Sequence, residues 1–174
     1  MSHVTRAGAG PTLGILALML FLTPTVQAQG NVAATAQNLA DRLCVVAGDF
    51  EAQAKGIVGL AEMDATFEAW GNMTLEMTAL KKAINTAALT DAQIVALKGS
   101  LAKMQECNKR IQKVLPEWVA KADAAENNLN SGYVPSAAER RTHERMKNEA
   151  EVRKMAERLD QAFWDILVGL PGGR

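Results

Sequence analysis

Few residues in this sequence are of the types that perform catalysis. A serine, threonine or cysteine nucleophile needs a nearby histidine that a third side chain orients. Beyond residue 28 there is one histidine, His143, inside the charged run 139–145. A run that mixes both signs of charge is typical of a helix face in contact with water. We therefore predict that His143 is exposed to solvent and that the protein is not an enzyme.

The same residue types argue against the common metal and cofactor sites. Structural zinc sites take four cysteine or histidine ligands at short spacing, whereas Cys44 and Cys107 are far apart in the sequence. Iron sites in helical bundles use Glu-x-x-His pairs, and Glu139 and Glu144 flank His143 at other offsets. The sequence also lacks a haem-attachment motif and a glycine-rich phosphate loop. It predicts no metal ion and no cofactor.

The balance of charge argues against nucleic acid as a partner. Lysine plus arginine total 19, as do aspartate plus glutamate, which gives a formal net charge of +0 at pH 7. Binding to phosphate requires clustered cations. We expect binding neither to nucleic acid nor to anionic lipid.

The first 28 residues have the pattern of an export signal. Arg6 lies in a short polar start, and an apolar run over residues 13–22 follows it. Small residues at positions 26 and 28 favour cleavage before Gln29. The apolar run is shorter than the ~20 residues that span a membrane. We predict that residues 1–28 form a signal peptide and that the mature protein is secreted or lies at the cell surface.

Export places the two cysteines in an oxidising compartment, where cysteines pair. With two cysteines there is one intramolecular connection, so we predict a disulfide bond between Cys44 and Cys107. The alternative is that both are separate small apolar residues buried in the core.

Long amphipathic helices must position these cysteines. Apolar residues recur at alternating steps of three and four along residues 32–67, with Gln53 and Asp64 at two of the seam positions. This 3.5-residue repeat is typical of a helix that packs along its length against another helix. We predict a first helix over residues 32–69, ended by a turn at Trp70-Gly71-Asn72.

A second apolar stripe predicts a helix over residues 73–129, with breaks near residues 90 and 116. Thr90-Asp91-Ala92-Gln93 matches a capping box, but the heptad spacing continues across it. That continuity favours one locally interrupted helix over two separate helices. Pro116 is expected to kink the helix because it lacks a backbone donor.

A third helix is predicted over residues 136–168. It begins at a capping box, Ser136-Ala137-Ala138-Glu139, that follows a loop at 127–135, and residues 171–174 form a tail. The turn near Gly71 and this loop would make the neighbouring helices antiparallel. Residues 29–170 are therefore predicted to fold as an all-α, elongated antiparallel three-helix bundle with coiled-coil-like heptad packing. Its seams are also candidates for joining copies into a homo-oligomer.

Asn72-Met73-Thr74 is an N-glycosylation sequon within the first predicted turn. An export signal and a turn both favour modification, so we predict a glycan on Asn72. Trp70, at the same end of the bundle, is expected either to contact a partner or to cap the bundle end.

The cysteine positions and the heptad stripe together resemble trypanosome surface glycoproteins of the variant-surface-glycoprotein type and related bundles such as the haptoglobin–haemoglobin receptor. The resemblance extends over about residues 29–168 and is carried by Leu43-Cys44, Ala47, Trp70, Asn72 and Cys107. It implies a glycosylated, membrane-anchored bundle that serves as a coat component or as a receptor for a host protein ligand. Such anchors need an apolar C-terminal signal, so membrane attachment would depend on an anchor that this chain does not contain.

A different class of protein is the alternative. Leu89-Thr90-Asp91-Ala92-Gln93 is similar to the Leu-Thr-x-x-Gln element of Spy-type periplasmic chaperones. This predicts a bacterial periplasmic helical binding or chaperone-like protein. Helix capping by Thr90 explains the same residues equally well, and the neutral charge does not match the basic cradle expected of that group.

Overall fold

The computed structural model describes residues 32–127 and 134–171 of the chain. These residues form five helices: α1 (Val32–Lys55), α2 (Leu60–Thr86), α3 (Asp91–Asn127), α4 (Ala137–Lys147) and α5 (Glu149–Gly169). The described residues contain no strand, and the predicted all-α class is confirmed. The predicted signal peptide and most of the predicted loop at 127–135 lie outside the described residues.

The predicted turn at residues 70–72 is wrong, because these residues lie in the middle of α2. The first reversal is instead at residues 56–59, between Lys55 and Leu60. Glycines at both ends of this segment disfavour helix. The intervening Ile57 is fully exposed, although it lies within the apolar repeat along residues 32–67 that predicted the first helix. Trp70 is buried in the core and does not lie at a bundle end.

The interpretation of residues 73–129 as one interrupted helix is also wrong. α2 ends at Thr86, and α3 begins as a new helix at Asp91. The capping box is present: the Thr90 backbone N–H donates to Gln93 Oε1 at 2.9 Å, and the Gln93 N–H donates to Thr90 Oγ1 at 3.3 Å. These bonds satisfy backbone donors at a helix start. α3 then runs through Pro116 without ending.

The third predicted helix is divided in two at Asn148. The Ser136 capping box opens α4 as predicted, with Glu139 as its second member. α4 ends at Lys147, and the Asn148 side chain accepts from the Glu151 N–H at 3.2 Å to cap α5.

Side-chain contacts give the direction of each helix. Arg42 of α1 donates to Glu76 of α2 at 2.6 Å, and Gln53 contacts Thr66, so these helices are antiparallel. Contacts between α1 and α3 run in the same order along both helices, from Gln37–Ser100 to Gln53–Trp118, so α1 and α3 are parallel.

The remaining helices complete the bundle. Asn108 and Lys98 of α3 contact residues 156–160 and Pro171, respectively, which makes α5 antiparallel to α3. The result is an up-down-up-down bundle whose fourth column is α4 followed by α5. The predicted count of three helices is not confirmed. The 37 residues of α3 extend over about 55 Å at 1.5 Å per residue.

Small residues let α1 approach α3 closely. Ala36, Ala40, Ala47 and Ala54 are buried along α1, and α1 makes its most extensive contact with α3. At Cys44 and Cys107 the two backbones are only 5.0 Å apart, measured between Cα atoms. No helix in the described part of the chain is long and apolar enough to cross a membrane.

Candidate functional site

The predicted cysteine pairing agrees with the structure. The Cys44 and Cys107 sulfur atoms are 2.04 Å apart, at disulfide distance. The bond links α1 to α3 midway along the bundle, between positions separated by 63 residues. Cys107 is buried and Cys44 is half-buried, so the link forms part of the wall of the core.

Asn72 is exposed, but on the side of a continuous helix and not in a turn. Thr74, which completes the sequon, is half-buried one position beyond Met73 of the core. Location in a turn therefore no longer argues for glycosylation of Asn72. The exposed amide is still accessible, and modification of Asn72 stays a prediction.

A direct test uses the wild-type chain and two sequon variants made in a eukaryotic secretory cell. We expect wild-type protein to migrate faster in denaturing gels after enzymatic removal of N-linked glycans. Asn72→Gln and Thr74→Ala should migrate at that faster position without treatment, because the acceptor needs both residues. Thr78→Ala, one helical turn further on the exposed face, is the matched control. Equal mobility of all four proteins would contradict glycosylation.

A buried polar group that the sequence did not predict joins three helices. Gln53 of α1 donates from Nε2 to Thr66 Oγ1 of α2 at 2.7 Å, and its Oε1 accepts from Trp118 Nε1 of α3 at 2.8 Å. Buried amides of this kind need partners on both ends. The contact therefore fixes the positions of α1, α2 and α3 relative to one another along the bundle axis.

A contact between a buried histidine of α4 and an aspartate of α2 attaches α4 to the bundle. His143 is 2% exposed, so the prediction that it faces solvent is wrong. Its Nε2 lies 3.0 Å from Asp64 Oδ2 of α2. The charged neighbours Glu144 and Arg145 are exposed, and α4 buries only His143 and Met146. Two inward positions in such a short charged helix, one of them polar, give almost no periodic signal.

The environment of Asp64 disfavours its charge. Burial raises the pKa of Asp64 above its ordinary value, and the neighbouring carboxylates Glu68 and Glu139 act in the same direction. His143 opposes this by its charge and hydrogen bond. A histidine oriented by a carboxylate is a usual pair in general-base catalysis. Here the ring is enclosed between helices, so in this conformation the pair attaches α4 to α2.

Within the described ranges 32–127 and 134–171, no group of three or more histidine, cysteine, aspartate or glutamate side chains is arranged to hold a metal ion.

Three of the surface ion pairs between neighbouring columns of the bundle hold a carboxyl group with a shifted pKa: Asp41–Lys103 at 2.6 Å, Glu51–Arg110 at 2.6 Å and Asp165–Lys81 at 2.7 Å. In each, a hydrogen bond from the cation is the largest cause that lowers the pKa of the carboxyl group. Each carboxylate is therefore more strongly favoured in the folded than in the unfolded chain.

These shifts predict how stability depends on pH. A carboxyl group with a lowered pKa contributes stability above its ordinary pKa, near 4, and loses it as the pH falls through the folded value. The raised pKa of Asp64 has the opposite effect on stability. This group contributes stability in acid and loses that contribution as the pH rises through its folded value. We expect the urea concentration at the unfolding midpoint to decrease as the pH is lowered below about 4. The triple variant Asp41→Asn/Glu51→Gln/Asp165→Asn should flatten this loss, and Asp64→Asn should steepen it; unchanged slopes would contradict the assignment.

No protein-family model matches this chain, and no similar protein was found among curated sequences or solved structures.

Proposed function

We propose that this protein is exported and acts without catalysis at the cell surface, as a glycosylated helical bundle resembling variant surface glycoproteins. The observation that supports export best is the Cys44–Cys107 pair at disulfide distance. Disulfide bonds persist in oxidising compartments and are rare in the cytosol. The export-signal pattern of residues 1–28 supports the same conclusion from an independent part of the chain.

Within this proposal, a receptor for a host protein ligand is favoured over a simple coat component. On α5, Trp164 and Val168 are 57% and 61% exposed, and four residues apart they lie on one helix face. Exposed tryptophan is enriched where proteins bind one another. The predicted seam residues are buried inside the bundle, for example Leu39 and Leu101, so a homo-oligomer would use an outer face such as this one.

The periplasmic chaperone alternative loses its particular support. The residues that resemble a Spy-type element form a reciprocal cap at the start of α3, in which Thr90 and Gln93 exchange hydrogen bonds. This local role accounts for both residue types.

Expression of the full chain with a C-terminal tag in a secretory cell tests the proposal. We expect the exported protein to begin at Gln29 by mass spectrometry and its two thiols to react with alkylating reagent only after reduction. With alkylation carried out in denaturant, because Cys107 is buried, a Cys44→Ala variant should show Cys107 as a free thiol and controls for reagent access. Retention in the cytosol with both thiols reactive and residues 1–28 still attached would overturn export.

A further inference from the structure

α4 is the helix that the bundle holds by the fewest buried side chains. It buries two of its 11 residues, His143 and Met146, whereas α1 buries ten of its 24. We propose that α4 is a detachable strap, which opens as a unit while the other four helices stay folded, and that the His143–Asp64 contact controls this opening. Such opening does not depend on export or on glycosylation.

Both ends of α4 allow it to separate without unwinding its neighbour. At its start, the Ser136 side chain accepts from the Glu139 N–H at 3.2 Å, and the Ser136 N–H donates to Glu139 Oε2 at 2.6 Å. At the other end, Asn148 has a non-helical backbone, and its side chain caps α5 through the Glu151 N–H at 3.2 Å. Each helix therefore has its own N-terminal cap, and α5 keeps its cap when α4 departs.

Apolar burial holds α4 weakly. Met146 is its one buried apolar side chain. Arg145 donates from Nε to Glu151 at 2.9 Å and lies over the Phe67 ring, but the Arg145 and Glu151 side chains are 49% and 42% exposed. Exposed ion pairs contribute little to stability. Segments with few buried apolar contacts open locally, at a lower free energy than the whole protein unfolds.

The polar contact of α4 satisfies only half of the groups that it buries. His143 Nε2 lies 3.0 Å from Asp64 Oδ2. The other polar atom of each side chain, His143 Nδ1 and Asp64 Oδ1, is buried without a hydrogen-bond partner in the described part of the chain. Burying such atoms is costly, and detachment returns both to water. The contact therefore attaches α4 at a cost that opening removes.

The charges around this contact make it sensitive to protons. Glu68 of α2 and Glu139 of α4 act on Asp64, and burial raises its pKa most. The α5 carboxylate that contacts α4, Glu151, is paired with Arg145. The inward positions that α3 and α5 contribute near α4 are apolar: Leu115, Trp118, Val119 and Ala122 of α3, and Val152, Met155 and Ala156 of α5.

The direction of the pH effect follows from the raised pKa of Asp64. In the attached state this carboxyl group binds its proton more readily than in the detached state, where water surrounds it. Acid therefore favours attachment, and the preference is lost as the pH rises through the attached-state pKa. The three surface carboxyl groups with lowered pKa lie on α1 and α5 and have the opposite effect on the whole bundle.

Native-state hydrogen exchange of the disulfide-bonded protein, read by mass spectrometry, tests whether α4 opens alone. After correction for intrinsic exchange rates, we expect an opening constant for residues 137–147 about tenfold or more above that of α5, as for a local unit within a larger one. Low concentrations of urea should speed exchange in α5 more than in α4. Equal opening constants with equal urea dependence would show that α4 and α5 unfold together, which overturns the proposal.

Variants test the control by the buried contact. His143→Ala should raise the opening constant of α4 about tenfold, the effect of losing a hydrogen bond to a charged group, and leave α1 and α3 unchanged. Arg141→Ala, at an exposed position of the same helix, is the matched control and should change nothing. Equal acceleration in α1, α3 and α4 would overturn the proposal, because His143 would then support the whole bundle.

The role of Asp64 is tested by pH. Between about pH 7 and pH 4, the α4 opening constant of wild type relative to that of Asp64→Asn should decrease as the pH falls. Glu144→Gln removes an exposed carboxylate from α4 and should follow wild type at every pH. A constant ratio between wild type and Asp64→Asn, or one that increases in acid, would overturn the control by Asp64.

Discussion

Replacing Trp118 with alanine is expected to lower the free energy of unfolding by about 3–5 kcal/mol. Trp118 is fully buried, with its ring centre 4.7 Å from Phe50 and 6.1 Å from Phe67. The substitution leaves a large cavity among these rings and also removes the donor to Gln53 Oε1. Urea unfolding followed by circular dichroism measures the change.

Two further variants separate the cavity from the hydrogen bond. Trp118→Phe keeps a ring but leaves the buried Gln53 oxygen without its donor, at a cost of about 1–3 kcal/mol. Combining Trp118→Phe with Gln53→Leu should cost less than the sum of the two single changes, because the variants share one hydrogen bond. Trp164→Phe, on the exposed face of α5, is the matched control and should change stability by no more than about 0.5 kcal/mol. A loss for Trp118→Ala as small as that of the control would contradict the central packing role.

Removal of the disulfide bond is the second large expected effect. A cross-link between residues 63 positions apart restricts the unfolded chain, and the loop-entropy relation gives about 4 kcal/mol for that length. The double variant Cys44→Ala/Cys107→Ala should therefore unfold at a clearly lower urea concentration than the oxidised wild type. The contacts between α1 and α3 remain, so we expect the variant still to fold.

The reducing agent provides the internal control for this experiment. Reduced wild-type protein should approach the midpoint of the double-alanine variant, whose own midpoint should not respond to reductant. Identical midpoints for oxidised and reduced wild type would show that the cross-link contributes nothing to stability.

The sequence predicted helices well and their ends poorly, for a physical reason. Periodicity reports which residues face a partner, but it does not report the direction in which the chain runs. The reversals at residues 56–59 and 87–90 are short, and apolar spacing continues across both. Local chemistry was the better guide at Thr90, where the capping box marked a true helix start. The apparent turn at Gly71 was a glycine inside a helix.

The buried polar contacts could have been found in part. Gln53 and Asp64 were recognised on the apolar seam, and a polar side chain at such a position needs a buried partner. That requirement could have pointed to further inward-facing polar residues, which the structure shows to be Thr66, Trp118 and His143. Their identity depends on which helices become neighbours, which the sequence pattern did not determine.

The Cys44–Cys107 bond also sets how the protein would respond to mechanical force. The chain between the two cysteines is closed into a loop by the disulfide bond. A force applied at Val32 and Pro171 is therefore transmitted through the sulfur–sulfur bond and does not extend the loop. At about 3.5 Å per extended residue, the loop withholds roughly 220 Å of length. Reduction would release that length, so the chain would reach a greater maximum extension under tension when reduced than when oxidised.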